Sequence, residues 1–384
     1  MKIAFLTSEY PHPKTSHSGG LGTSIKNLAQ ALVKQKVEVI IFLYGQKSNE
    51  IFTEDGIKFY FIKDKKYSFA KWYFYRKHIQ NYINKVINSE KIDILEAPDW
   101  TGITALMKFK IPLIIRFHGS DTYFCHLENR KQKLKNYWFE KLAIKGASAY
   151  IAPTNFAGEL SKKLFNIKNK EVKTIHYGLE LEKFQNSNPG IFDKGLIIYI
   201  GTIIRKKGVF ELPEIFKNVR INYPQAKLIL IGGDSSDIQT GSNSTWELIK
   251  NQFAKDDLQQ VNYIGKIPYN EVQQHIKNAT VCIFPTFAET LGMVTIESMA
   301  MQKPVVNSNF GWCKELIDDG VNGFLVNPKE HGNFANAIVE LLNNNQLHQS
   351  IREKALQTVE KKFSIHKTVI QNIDFYSKIS NKAK

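Results

Sequence analysis

Short apolar runs of strand length alternate with amphipathic helical patterns along this chain, and that rhythm constrains its fold more than any other feature. Residues 2–7 (KIAFLT) read as a buried strand. A polar, Gly-rich loop follows, then Ile25, Leu28, Ala29, Leu32 and Val33 mark one face of a helix over 23–36, and 37–44 (VEVIIFLY) is the next strand. Strand, helix and strand in this order form a βαβ unit and predict a parallel sheet. Further strands are expected at 57–62, 92–96, 112–118, 149–152 and 172–175. From His176 to Gly195 the period fades into turn residues, so a domain boundary is placed there. The alternation then restarts, with strands at 196–201, 226–231, 261–264, 281–284 and 304–306 and helices at 209–223, 244–253 and 270–278. Two consecutive doubly wound α/β halves are the expected fold, with a ligand in a cleft where the carboxyl ends of both sheets meet.

At 384 residues, 43% of them hydrophobic, the chain suffices for two or three domains. Its longest apolar runs fall far short of a bilayer span. The amino terminus (MKIAFLTSEYPHP) has too short an apolar core for a secretion signal and reads as a strand. Cys125, Cys282 and Cys313 are odd in number and lack ligand or redox spacing, which points to a reducing cytosol. The net charge of +16 fits nucleic acid, an anionic membrane surface or anionic substrates. Residues 58–85 carry eight Lys or Arg against one Asp, interleaved with aromatic rings, and 130–145 carry six against Glu140. Such segments suit anionic lipid headgroups. They equally suit helices whose rings enter the core while their lysines are solvated.

The chemistry concentrates in Pro285–Pro304, PTFAETLGMVTIESMAMQKP. An apolar run (TVCIF) precedes it, so 285–290 is the loop leaving the carboxyl end of a buried strand. A helix starting near Leu291 or Gly292 presents unpaired N–H groups and a positive dipole end to a negative group. Gly292 allows close approach of a phosphate. Glu297, one turn further on, can accept two hydrogen bonds from a vicinal diol such as a ribose, and Glu289 points into the same crevice. The same residues also read as an amphipathic helix with two solvated glutamates.

This segment resembles the E-x(7)-E signature of glycosyltransferase family 4, retaining enzymes with the two-domain GT-B fold. The resemblance implies that Glu297 binds the ribose of a nucleotide sugar and that Glu289 lies near the sugar. It gives the diphosphate to the amides of Thr290, Leu291, Gly292 and Met293. TIHYGLELEKF resembles the family's interdomain link, with Gly178 and Phe184 retained and Tyr177 in place of the usual Asn. FSIHKTVIQNIDFY resembles the closing helix that crosses back to the first domain. The expected domains are therefore 1–185 for the acceptor, 186–364 for the donor, and a returning helix over 365–384.

In GTIIRKKG the family's phosphate-binding Lys is Lys207, while Thr202 occupies the position of the family's Arg. Arg205 is expected to reach the phosphates instead, the alternative being a solvated loop with Lys207 alone engaged. His118, just past a strand, matches the family's H-G element and would contact the transferred sugar; a structural histidine is the other reading. Gly19 and Gly20 match the glycine loop beside donor phosphate and acceptor. Glu96, Asp99 and Trp100 lie where another strand ends and are expected to bind the acceptor, Asp99 and Trp100 holding a saccharide by hydrogen bonds and stacking, unless Trp100 is core. Gly311 and Glu315 match a G-G-x-x-E segment in which Trp312 replaces a glycine and would narrow the donor pocket or reshape its edge. Residues 264–267 would contact the base.

No Asp-x-Asp occurs, so a metal-independent reaction without a cofactor is expected, the leaving diphosphate being met by cations and amides. A nicotinamide enzyme is not expected, because Ile25 stands where the third glycine of its fingerprint would be and the second strand ends without an acidic residue. The leading expectation is a retaining hexosyltransferase that uses a nucleotide-diphosphate sugar and a saccharide or lipid-linked acceptor in envelope glycan synthesis. It would be cytoplasmic, peripheral on the inner membrane face through 58–85 and 130–145, with no nucleic acid partner. A soluble glycogen-synthase-like or sugar-phosphate-using transferase of the same fold is one alternative. A non-catalytic nucleic-acid or membrane-binding protein is the other.

Overall fold

In the computed structural model, which describes residues 1–15 and 18–383, the apolar runs form two sheets. The first contains β1 (Lys2–Thr7), β2 (Glu38–Gln46), β3 (Glu50–Glu54), β4 (Ile57–Lys63), β5 (Ile94–Pro98), β6 (Leu113–Arg116), β7 (Ala149–Ala152) and β8 (Val172–Thr174). Their spatial order is β3-β4-β2-β1-β5-β6-β7-β8. The second contains β9 (Leu196–Ile200), β10 (Lys227–Ile231), β11 (Val261–Gly265), β12 (Val281–Phe284), β13 (Val305–Ser308) and β14 (Phe324–Val326), in the order β11-β10-β9-β12-β13-β14. All neighbours are parallel except β3 and β4, which form an antiparallel hairpin. The hairpin corrects the expectation of a purely parallel sheet. Asp55 and Gly56 both take positive φ, 51° and 75°, as a two-residue hairpin turn requires.

Successive residues of a strand point to opposite faces, and β1 shows the consequence. Ile3 and Phe5 enter the apolar layer beneath the helix Gly20–Lys34, while Ala4 and Leu6 enter the one beneath Lys71–Glu90. Burial on both faces explains why the parallel strands read as continuous apolar runs. Each fully buried Leu, Ile or Phe contributes about 1.5–3 kcal/mol.

The chain divides into two units, Met1–Gly178 with Ile365–Lys384, and Leu179–Ser364. The stretch 179–185 thus falls in the second unit, contrary to the expected boundary. Leu179 N–H donates to the Phe363 carbonyl at 2.7 Å, and the Phe184 ring lies 6.1 Å from Tyr269. The last helix, Ile365–Ala383, belongs to the first unit. It buries Val369 and Tyr376 in that core and presses on Gly178, where a Cβ would lie 2.2 Å from Thr368 Oγ1. Among the described residues no helix is long and apolar enough to cross a membrane.

Strand order reverses beside β1, between β2 and β5, and beside β9, between β10 and β12. Ligands of open α/β sheets gather outside the carboxyl ends of strands at such reversals. In the second unit the two loops there are 201–208, after β9, and 285–292, after β12.

Candidate functional site

Two glycines fix how these loops meet. Gly208 has φ +72°, and a Cβ on it would fall 1.7 Å from the Pro285 carbonyl oxygen, so only glycine lets the loop after β9 lie against the loop after β12. The Lys206 carbonyl then accepts from Phe287 N–H at 2.9 Å and Ala288 N–H at 3.3 Å. This seam brings the Lys207 ammonium onto the Glu289 carboxylate as an ion pair. Burial pushes the Glu289 carboxyl up, but Lys207 outweighs it and holds the group below the usual glutamate range. Glu289 Oε1 also accepts from Thr290 N–H at 2.9 Å.

Gly292, the second of these glycines, has φ +91° and turns the chain into the helix Met293–Ala300, which no side chain caps. The positive end of that helix therefore opens next to Lys207 and Glu289. Glu297 lies one turn along, 8% exposed. Burial pushes its carboxyl up to about 7, moderated by a hydrogen bond from the Tyr269 hydroxyl. Glu297 is thus a carboxylate with unused acceptor capacity, poised to ionise near neutrality.

Beside the loop after β9 is a cavity of about 420 Å³ lined by Thr202, Gly232, Gly233, Asp234, Lys266 and Ile267, among others. Thr202 is exposed at its mouth. Arg205 requires a correction. Its guanidinium makes a two-pronged bond to Asp237, Nε to Oδ1 at 2.8 Å and Nη2 to Oδ2 at 2.7 Å, and lies 4.0 Å above the Phe210 ring. A fork committed to a buried carboxylate does not replace the family's Arg at Thr202, which leaves Lys207 as the cation at the helix end. Trp312 is buried and stacked on Phe310 at 5.4 Å, under the loop after β12 rather than displayed as a pocket wall.

In the first unit the candidates in and after β5 part company. Glu96 is buried and both its oxygens are occupied. Arg116 donates to them at 2.7 and 3.0 Å and the Tyr376 hydroxyl at 2.6 Å, while Arg116 also donates to Asn372 Oδ1 at 2.6 Å. The acceptor role expected of Glu96 is corrected accordingly: it clasps the last helix. Asp99, 1% exposed, is not displayed either. Its Oδ1 accepts from the His118 backbone N–H at 2.9 Å, and its Oδ2 has no hydrogen-bond partner among the described residues. Burial pushes the Asp99 carboxyl up to about 7. Trp100 is 47% exposed, which removes the core reading.

His118 follows β6, with its Nδ1 2.7 Å from the Tyr177 hydroxyl and the two rings stacked at 5.6 Å. Burial, then the nearby Arg116 charge, lowers the imidazole to about 3. His118 is neutral at physiological pH and can offer a hydrogen bond, not a positive charge. Gly19 caps the helix Gly20–Lys34 and donates its N–H to the Glu9 carboxylate, while Gly20 is exposed. The loop residues Ser16 and His17 lie outside the described residues. Among those described, no group of three His, Cys, Asp or Glu could hold a metal ion.

Tyr269 and Asp237 were not anticipated as site residues. Tyr269 opens the helix Tyr269–Asn278 as a half-exposed aromatic, a position that helical periodicity does not single out. Asp237 sits in a polar loop whose pairing with Arg205 spans 32 residues.

Residues 18–183 match the family model described as Glycosyltransferase Family 4, and residues 182–358 the one described as Glycosyl transferases group 1. An uncharacterized glycosyltransferase of Methanocaldococcus jannaschii is 27% identical over 301 residues, 77% of this chain and 78% of that protein. Among solved structures, sucrose-phosphate synthase from Thermosynechococcus elongatus aligns with a TM-score of 0.81 at 19% identity, over 98% of each chain. The Anabaena protein HepE in complex with UDP and glucose aligns with a TM-score of 0.73 at 18% identity, over 98% of this chain and 100% of that one.

Proposed function

The chain belongs to glycosyltransferase family 4 and has the GT-B fold, and from this premise we propose a retaining, metal-independent transfer of a hexosyl unit from a nucleoside diphosphate sugar to a saccharide or lipid-linked acceptor of envelope or polysaccharide glycan. The observation that carries the reading is the uncapped helix end at Gly292, flanked by Lys207 and followed one turn later by the buried Glu297.

Each part has a role in that reaction. The diphosphate sits on the amides of 291–293, with Lys207 opposing its charge. Glu297, ionised, accepts from the ribose diol, and Tyr269 orients it. The base occupies the cavity beside Lys266 and Ile267. The HepE structure, which contains UDP and glucose, supports a donor of this class. As the bond from the anomeric carbon to the phosphate oxygen breaks, negative charge grows on the diphosphate, and Lys207 with the helix end stabilises it. The acceptor oxygen bonds to the same face of that carbon while its proton passes to the departing phosphate oxygen, so configuration is retained. Neutral His118 contacts the transferred sugar by hydrogen bond.

A thermal-shift screen against UDP, GDP, ADP and their sugar conjugates, with and without chelator, tests the donor half. One nucleotide should stabilise the protein equally in both conditions, and Glu297→Ala should abolish the shift. Stabilisation that vanishes with chelator would sink metal independence, and an inverted anomeric product by NMR would sink retention.

A further inference from the structure

The exposed apolar side chains of the first unit are unevenly distributed. Met1, Ile51 and Ile370 are single exposed residues on separate elements, whereas two helices gather large rings. Phe69, Trp72, Tyr73 and Phe74 cluster at the start of the helix Lys71–Glu90, with Phe69 79% exposed. Leu134 and Trp138, 76% and 55% exposed, project from the helix Leu134–Gly146.

These groups form one continuous surface. The Trp72 ring meets Phe139 at 5.4 Å, and the Arg76 guanidinium lies 4.2 Å from the same ring while donating to the Gly102 carbonyl at 3.2 Å. Gly102 presses on the Phe139 backbone, where a Cβ would lie within 2.4 Å, so the turn Trp100–Gly102 and the helix Leu134–Gly146 are locked together. Lys77 Nζ donates to the Leu106 carbonyl at 2.7 Å, joining the long helix to the next loop. Trp100 and Leu106, both exposed, lie on the segments so joined.

The charge around this surface is predominantly positive. Lys65, Lys66, Lys71, Lys131, Lys133 and Lys135 are all exposed. Asp64 is the exposed acid on these segments, because Glu140 is turned inward and accepts from the Asp121 and Thr122 amides at 2.8 and 3.0 Å. Rings that penetrate an interface, surrounded by six exposed ammonium groups against the one exposed carboxylate of Asp64, complement an anionic bilayer.

We propose that this face docks on an anionic lipid bilayer. Trp100 belongs to the face and directly follows Asp99, whose carboxylate holds the His118 backbone. A lipid-linked acceptor, its tail retained in the bilayer, would therefore present its saccharide to the turn after β5. This last step rests on the transferase reading above, whereas the docking surface stands without it.

Flotation of the full chain with phosphatidylcholine vesicles, alone or mixed with phosphatidylglycerol, tests the surface. Binding should appear only with phosphatidylglycerol, weaken as salt rises, and drop at least about tenfold in Trp72→Ser/Trp138→Ser and in Lys133→Glu/Lys135→Glu. The second variant alters exposed side chains alone, so it remains informative should the first fold poorly. The nucleotide-induced thermal shift should persist in both. Absence of flotation, equal binding to both vesicle types, or flotation untouched by either variant would overturn the proposal. So would a dimer by light scattering that the variants dissociate, which would make the face a contact between copies, or binding of RNA in place of vesicles. Flotation without any nucleotide shift would instead sink the donor reading and leave the surface standing.

Discussion

Glu96 and Glu297 are both glutamates sunk beside a parallel sheet, one in each unit, and they are met in opposite ways. Glu96 faces a guanidinium and a phenol that fill its oxygens, and with them it holds the last helix in place. Glu297 faces the single hydroxyl of Tyr269, and its carboxyl rises to about 7 for want of better company. Full satisfaction marks a structural group, whereas a buried carboxylate left with spare acceptor capacity is a candidate for ligand binding. Motif position alone would have placed both in binding sites.

The largest effect should fall on the structural partner. Glu96→Ala leaves Arg116 charged and buried without its carboxylate, which costs about 3–5 kcal/mol. Chemical denaturation should show that loss, and a variant as stable as wild type would erase the contrast. Next come the cations of the second unit. Lys207→Ala should weaken donor binding by about 1.5–3 kcal/mol, the range for hydrogen bonds to charged groups, whereas Arg205→Ala should leave it unchanged because that fork holds Asp237. Equal losses by calorimetry would restore Arg205 to the phosphate site.

Proton linkage provides a sharper test. If Glu297 binds ribose as a carboxylate, as proposed, donor affinity should fall as pH drops through about 7, approaching tenfold per unit below it. Stability should run the other way. A folded-state value raised above the unfolded one gives stability that is present at low pH and lost as pH rises towards 7. Glu297→Gln should flatten both profiles, and a wild-type affinity that is flat between pH 6 and 8 would reject the assignment. The smallest effect is expected at Tyr177. Tyr177→Phe removes the hydroxyl facing His118 Nδ1, about 0.5–1.5 kcal/mol for one hydrogen bond. It should lower kcat with KM held and change the His118 ring nitrogen shifts by NMR; a loss in KM alone would make Tyr177 a binding residue.

The parallel strands were legible because burial on both faces leaves unbroken apolar runs, and strand ends such as Phe284 were located to the residue. The edge strand Glu50–Glu54 was missed although Asp55-Gly56 carried a hairpin signal, since its residues are mostly polar and exposed. In the second unit, Lys207 with Gly208 and Glu289 with Glu297 each stand out as a short local motif, while the pairing of Lys207 with Glu289 spans 82 residues and shows only in the structure. Glu96 was misjudged because the groups that satisfy it, Arg116 and Tyr376, lie 20 and 280 residues away. No window of sequence shows such a pairing. The same limit applied to Arg205, whose type suited a phosphate while its actual partner sat in an unremarkable loop.

The last helix also sets an order of events during synthesis. Arg116 waits for Asn372, 256 residues downstream, and at about 5–20 residues per second that delay is on the order of 10–50 s. Throughout that interval the second unit, continuous from Leu179 to Ser364, emerges from the ribosome with all its partners, while the first holds a buried cation and an open helix seat. The half of the protein made first is therefore the half completed last, and a nascent chain halted before Tyr376 leaves that half as the natural target of chaperones.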